Sequence, residues 1–388
     1  LSYSISIFLL SLAAFASAAS MRVTDALLPR LAADFHVGIG RAAAVVTGFA
    51  VAYGLMQVVF GPLGDRFGKL RVISISALAA SLATLACQLA PGFDGLLVAR
   101  IFAGAFCGSI IPLAIAWIGD VVPYRDRQPV IARFILGQIS GLACGAALGG
   151  FAAERDEWRW VFGLLAAWLA ICAVFVAFAS RRDPVPRTEK VSHFARDAAG
   201  ILTSRWACIV VATVFVEGMV VFGALAFVPT HLHFVRGMEL SRAGMALIPY
   251  AAGGIAFALG ARTIVPRLGE AQLSRAGTVL LMAGFLIVAW SPWVPLSIAG
   301  CFIAGLGFYA LHNTLQTNGT QMAPERRGAA MALFASLFFL GQSLGVAIAG
   351  ALVERAGTTA VLTGGAFAVL PVGFAFAALK AAHERTAA

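Results

Sequence analysis

GPLGDRFGKLR, residues 61–71, interrupts a chain that is otherwise almost continuously apolar on both sides. Four charged residues (Asp65, Arg66, Lys69 and Arg71) and three glycines (Gly61, Gly64 and Gly68) fall within these eleven positions. Such a turn divides its apolar flanks into two separate segments, and the composition says what surrounds them. The 388 residues are 60% hydrophobic and 12% charged, whereas a soluble domain carries roughly 25% charged residues. Mean hydropathy is +0.90. A water-soluble core of this size has no room for that excess, but a bilayer does. The apolar runs are long and unbroken rather than alternating, which excludes a transmembrane β-barrel. The fold class expected is an all-α polytopic membrane protein.

A helix crossing the hydrocarbon needs about 20 residues. Stretches of that kind run over 5–29, 42–61, 72–90, 96–119, 129–151, 160–180, 206–229, 243–264, 273–290, 295–320, 328–350 and 358–379. This makes twelve transmembrane helices. The opening LSYSISIFLLSLAAFASAAS lacks a basic n-region and is read as the first helix, not as a signal peptide. The longest polar interval, 181–205, divides the chain into an N-terminal six-helix bundle (1–180), a linker and a C-terminal six-helix bundle (206–388). Lys and Arg are concentrated in loops 2–3, 4–5, 6–7, 8–9 and 10–11 and the C-terminal tail, which predicts cytoplasmic termini.

The halves repeat. Gly141, Gly145, Ala147, Gly150, Glu154 and Arg155 coincide with Gly341, Gly345, Ala347, Gly350, Glu354 and Arg355 at an offset of 200, as does Arg127 with Arg327. The counterpart of the opening stretch, GARTIVPRLGE at 260–270, keeps glycines and basic residues but has no acid matching Asp65. Parallel duplication of six helices is a recurring plan of secondary transporters.

The residues 61–71 now resemble the G-x-x-x-D-R-x-G-R-R signature that the major facilitator superfamily carries between helices 2 and 3. Gly61, Gly64, Asp65, Arg66, Gly68, Lys69 and Arg71 fit it. The resemblance extends over nearly the whole chain and implies the major facilitator fold, with this loop as a cytoplasmic latch between the halves. Asp65 is expected to face a helix N-terminus or a cation. In helix 5, Gly141, Gly145, Gly149 and Gly150 are similar to the G-x-x-x-G-P-x-x-G-G motif of drug:proton antiporters, with Ala146 where that branch has Pro. The same glycines also suit plain helix packing.

A charged group at mid-bilayer costs about 2.5–3.5 kcal/mol on insertion scales and needs a partner or a polar cavity. Apart from Arg133, Arg262 and Arg275 at the span ends, the ionisable residues inside the spans are Arg22 and Asp25 on helix 1, Arg100 on helix 4, Glu217 on helix 7 and His312 on helix 10. They recur on every third helix, and the resemblance implies that these helices line the central cavity. Arg22, Asp25, Arg100 and Glu217 are the proton-coupling candidates. Glu217, near the centre of its helix, suits loading and release of a proton or, alternatively, a static interhelical bond. Asp25 lies in the outer part of helix 1, where exposure is expected. Arg22 shares its face. Arg100 either takes part in proton transfer or snorkels to the interface. Tyr53 and Gln57 on helix 2, with His312, Asn313 and Gln316 on helix 10, are substrate-cavity candidates. His312 and Gln316 are four apart and share a face.

His231 and His233 form an H-x-H pair without a nearby carboxylate or cysteine cluster, and an interfacial pair is expected instead of a metal site. The six cysteines are scattered singly. No P-loop, nucleophile–base pair or HExxH sequence appears, so the reading is neither an ATPase nor another enzyme, with no cofactor and no metal. The net charge of +10 comes without a basic block and does not support nucleic-acid binding. The expected partners are a small-molecule substrate, protons and the lipid bilayer, with the chain acting as a monomer in a bacterial inner membrane. Proton-coupled export by alternating access is the expected function. A sugar or metabolite facilitator or exporter without proton coupling, or a non-transporting membrane receptor, are the alternatives.

Overall fold

The computed structural model describes residues 3–155, 157–181, 183 and 194–387. Most of the expected linker, and the side chains of Arg127 and Arg327, lie outside the described residues. Among the described residues ten helices are long and apolar enough to cross a membrane. Two of these are double, because Leu247–Trp290 is broken at Gly269 (φ 70°, ψ 163°) and Arg327–Ala387 at Gly357 (φ 79°, ψ 170°). The result is an all-α architecture of twelve membrane-spanning helices. Their order is α1 (Tyr3–Arg22), α2 (Ala44–Phe67), α3 (Lys69–Leu89), α4 (Phe93–Cys107 and Ile110–Val121), α5 (Tyr124–Ala153) and α6 (Trp160–Ser180). There follow α7 (Arg205–Leu225), α8 (247–268), α9 (270–290), α10 (Val294–Gln321), α11 (327–356) and α12 (358–387). An even number of crossings returns both termini to one face.

The stretch at 61–71 is less of a loop than its composition implies. α2 continues to Phe67 and α3 begins at Lys69, so Gly68 alone (φ 92°, ψ 127°) makes the hairpin. A side chain at that φ is strained, and only glycine adopts it freely. Gly269 repeats the device between α8 and α9 at an offset of 201, one residue more than in the helix-5 repeat. At that register Glu270 stands where the first half has Lys69. Lys69 Nζ bonds Asp65 (3.0 Å) and Asp120 (2.8 Å). Glu270 instead receives Lys380 Nζ (2.7 Å) and Asn318 Nδ2 (2.8 Å). The two hairpins thus carry the same kind of clamp with the charges reversed.

Lipid tails are as apolar as leucine, so helices in a bilayer associate through close packing of small residues. α5 lies on α1 in this way. A β-carbon added at Gly137, Gly141, Gly145 or Gly149 would land on the backbone of Ser11, Phe15, Ala19 or Val23 in turn. α11 meets α7 likewise, with Gly341 against Phe215 and Gly345 against Met219. One core unites Leu10, Phe49, Ile73, Trp117 and Phe134 of the first half, and another Val214, Leu281, Phe308, Leu315 and Phe376 of the second. A third joins both halves at the face opposite the termini, where Val23, Leu27 and Leu31 pack with Phe227, Leu240, Val346 and Val353.

Candidate functional site

Helix 1 does not run straight through its buried charges. Beyond Arg22 the backbone tightens, with Asp25 N bonding Arg22 O and Leu27 N bonding Thr24 O, before a short helix resumes at Leu28–Asp34. Pro29 occupies its second position, as Pro229 does in Val228–Arg236, the corresponding extension of α7. The turn carries Asp25 inward. Its carboxylate is fully buried, against the expected exposure, because the outer core closes over it.

Three buried charged groups meet there. Arg22 Nη1 donates to Asp25 Oδ2 at 3.0 Å. Arg100 is also fully buried and turns into the bundle instead of snorkelling out. Its Nη1 donates to Ser20 O at 2.8 Å, Nη2 to Thr24 Oγ1 at 3.3 Å and Nε to Val45 O at 3.4 Å. The guanidinium lies 4.2 Å from the centre of the Phe49 ring. Arg100 thereby ties the bend of α1 to the start of α2.

The second half holds the other charges. Glu217 is fully buried, and its Oε2 lies 2.8 Å from His312 Nδ1. Sequence spacing set His312 beside Gln316, but α7 supplies its actual partner, and Gln316 is exposed. Asn313, next to His312 in the chain, is partly buried. The His312 ring stacks on Phe308 (5.1 Å) and contacts Phe338 (4.8 Å). Phe222 sits edge-on to both phenylalanines at 5.3 Å. Arg22 reaches across from the first half, its Cζ 4.5 Å from the centre of the Phe222 ring. Arg22 and Phe222 are equivalent positions of the repeat, so they meet near its pseudo-axis. An unbroken series of contacts therefore runs from Asp25 through Arg22, Phe222, Phe308 and His312 to Glu217.

Beside this series lies a cavity of about 40 Å³ lined by Arg22, Leu142, Ala143, Phe222, Tyr250 and Tyr309, room for about a water molecule. The Tyr250 hydroxyl, Asp25 Oδ1 and Glu217 Oε1 are buried without a hydrogen-bond partner among the described residues. The Glu217–His312 pair is chemically versatile. With one shared proton it is neutral overall, and it becomes anionic or cationic when a proton leaves or joins.

Other candidates lie elsewhere. Tyr53 and Gln57 are buried on α2, where Tyr53 packs on Phe339 of α11 at 4.5 Å between centroids, forming a contact between the halves. Gly141, Gly145 and Gly149 lie along the α5–α1 seam, and Gly150 faces Leu240 of the other half. Asp65 faces a cation, Lys69, and both partners of Lys69 belong to the first half. His231 Nδ1 meets Thr358 Oγ1 at 3.0 Å and His233 Nδ1 meets Met238 O at 2.7 Å, so the two rings serve different contacts. Tyr250, Phe222 and Phe338 were not singled out by sequence. Phe308 was within reach, four residues before His312 on the same face.

The model of the Major Facilitator Superfamily matches residues 10–346. The chain is similar to the uncharacterized MFS-type transporter YwfA of Bacillus subtilis (strain 168), 24% identical over 363 residues that cover 91% of this chain and 86% of YwfA. It is 25% identical over 181 residues to the multidrug export protein EmrB of Escherichia coli (strain K12), covering 47% of this chain and 35% of EmrB. The crystal structure of the nucleoside transporter NupG (D323A mutant) superposes with a TM-score of 0.80 at 15% identity, covering 96% of this chain and 98% of NupG. Fold, duplication and family model agree: the chain belongs to the major facilitator superfamily, an integral membrane protein with that family's transport fold and not an enzyme.

Proposed function

We propose that the chain is a proton-coupled exporter of a small molecule, a drug-like compound or metabolite, of the twelve-helix drug:proton antiporter type. Residues 1–180 rock against 206–388 about the central charged series, in a bacterial inner membrane with both termini cytoplasmic. The chain acts as a monomer. The observation that carries this reading is the joining of Arg22–Asp25 to Glu217–His312 across the boundary between the halves. A proton gained or lost at either pair changes the net charge at the surface where the halves must separate. That biases one facing state over the other, and a substrate competing for the same groups couples its passage to proton movement. The likeness to EmrB, a multidrug export protein, supports the choice of substrate class.

The test is transport of a cationic dye in proteoliposomes under an imposed pH gradient. The parent moves the dye with the gradient, and Glu217→Gln and Asp25→Asn each lower the initial rate by about tenfold or more, the equivalent of ~1.4 kcal/mol. Parent-like rates in both variants would remove these carboxylates from coupling. Flux indifferent to the gradient would favour a facilitator instead.

A further inference from the structure

The duplicated stretches 141–155 and 341–355 each end in Glu-Arg, at the face opposite the termini. Their glutamates do the same thing in opposite directions. Glu154, at the end of α5, accepts a hydrogen bond from Ser241 N at 2.8 Å. Glu354, at the end of α11, accepts one from Gly40 N at 3.0 Å. Each bond crosses from one half of the chain to the other. Both amides belong to the second residue of a short helix, Leu240–Met245 ahead of α8 and Ile39–Ala42 ahead of α2. Amides in a first helical turn have no partner within the helix, so each carboxylate fills a vacancy that the other half presents. The two receiving segments also repeat, Ile39-Gly40-Arg41-Ala42 against Leu240-Ser241-Arg242-Ala243.

Backbone approaches backbone beneath both bonds. A β-carbon added at Gly150 would land on Leu240 O, one at Gly244 on Ala146 O, and one at Gly40 would come within 2.6 Å of Gly350 O. Among the described residues the seams within each half, α5 on α1 and α11 on α7, are of the same kind but carry no such bond. Both glutamates are exposed. Water stands ready to replace the amide when either bond opens, which keeps the contact weak enough to be reversible. A permanent join between the halves would gain nothing from exposed carboxylates.

We propose that Glu154 and Glu354 form a twin latch that holds the face opposite the termini closed and must release at both places when that face opens. The inference rests on the alternating-access reading above. It concerns gating, not coupling. Because the two bonds are related by the repeat and point in opposite directions, rocking one half against the other strains both at once.

The experiment is a distance measurement by double electron–electron resonance. Spin labels are placed at Pro91→Cys in the first half and Pro292→Cys in the second, both exposed and both in the loops of that face, with Cys144 and Cys208 replaced by Ser. The parent gives one dominant short distance. The combined Glu154→Ala and Glu354→Ala variant raises the population of a longer distance by about tenfold, and the combined Glu→Gln variant, which keeps an acceptor oxygen, by less. Ser241→Pro removes one donor without touching a carboxylate, and Pro29, Pro229 and Pro295 already occupy the second position of their helices. It shifts the same population by a smaller factor. It also decides the matter if the alanine variant fails to fold. An unchanged distance distribution in folded Ala or Pro variants overturns the latch. A parent that moves no dye under the gradient, with the distance shift of the variants intact, would instead count against the coupling reading and leave the latch standing.

Discussion

Arg100→Leu is expected to abolish transport and to lower stability by about 3–5 kcal/mol, the cost of removing one member of a buried, hydrogen-bonded charge cluster. The reason is geometric as much as electrostatic. Where α1 turns at 23–27, the Ser20 carbonyl takes Arg100 Nη1 instead of a partner along its own helix. In a membrane interior no water replaces a lost donor. Leu would leave Ser20 O unpaired, withdraw the attraction between Arg100 and Asp25, and uncouple the bend of α1 from Val45 at the start of α2. Arg100→Lys rescues little. An ammonium concentrates its donors on one atom and cannot reach Ser20 O, Thr24 Oγ1 and Val45 O while lying flat on Phe49. The readouts are the melting temperature in detergent and the initial rate in proteoliposomes. If Arg100→Leu melted and transported like the parent, the cluster at the bend would have no structural role.

The residues of that cluster were legible because a charge in an apolar span stands out whatever its partner. Which charges pair was not legible. Glu217 and His312 are 95 positions apart in the chain, and only the packing of α7 against α10 brings them to 2.8 Å. Helical spacing offered His312 the nearer Gln316, a contact that costs no folding to imagine. Asp25 was misplaced for a related reason. Its position along helix 1 suggested the outer surface, whereas a turn at 23–27 tucks it beneath the core shared by the two halves. The hairpin at 61–71 was recognised by its charges and glycines, yet only Gly68 leaves the helix. Its counterpart at 260–270 looked degenerate because no acid there matches Asp65. The glycines of the hairpins match at 201, and that register sets Glu270 against Lys69, so the second clamp is present with its charges exchanged.

Gly145→Val and Gly345→Val are each expected to reduce the monodisperse folded fraction by about tenfold or more, since an enlarged residue at a closed seam costs typically 1–3 kcal/mol and more against rigid backbone. At Gly145 the added β-carbon falls on the Ala19 backbone, and at Gly345 on that of Met219, so no side-chain rotation relieves the clash. The two helices must separate instead. The damage then travels to the site, because α1 carries Arg22, Asp25 and the Ser20 carbonyl held by Arg100, while α7 carries Glu217 and Phe222. Gly364→Val on α12 is the control. An added β-carbon there meets nothing within 4 Å, and the variant should elute and transport like the parent. Gly145→Ala should fall between, losing stability but retaining measurable flux. A folded, active Gly145→Val would mean that α5 and α1 slide apart without penalty. These seams would then not be the rigid elements of the cycle, and the moving boundary would have to be sought inside each half instead of between Gly150 and Leu240 or Gly350 and Gly40.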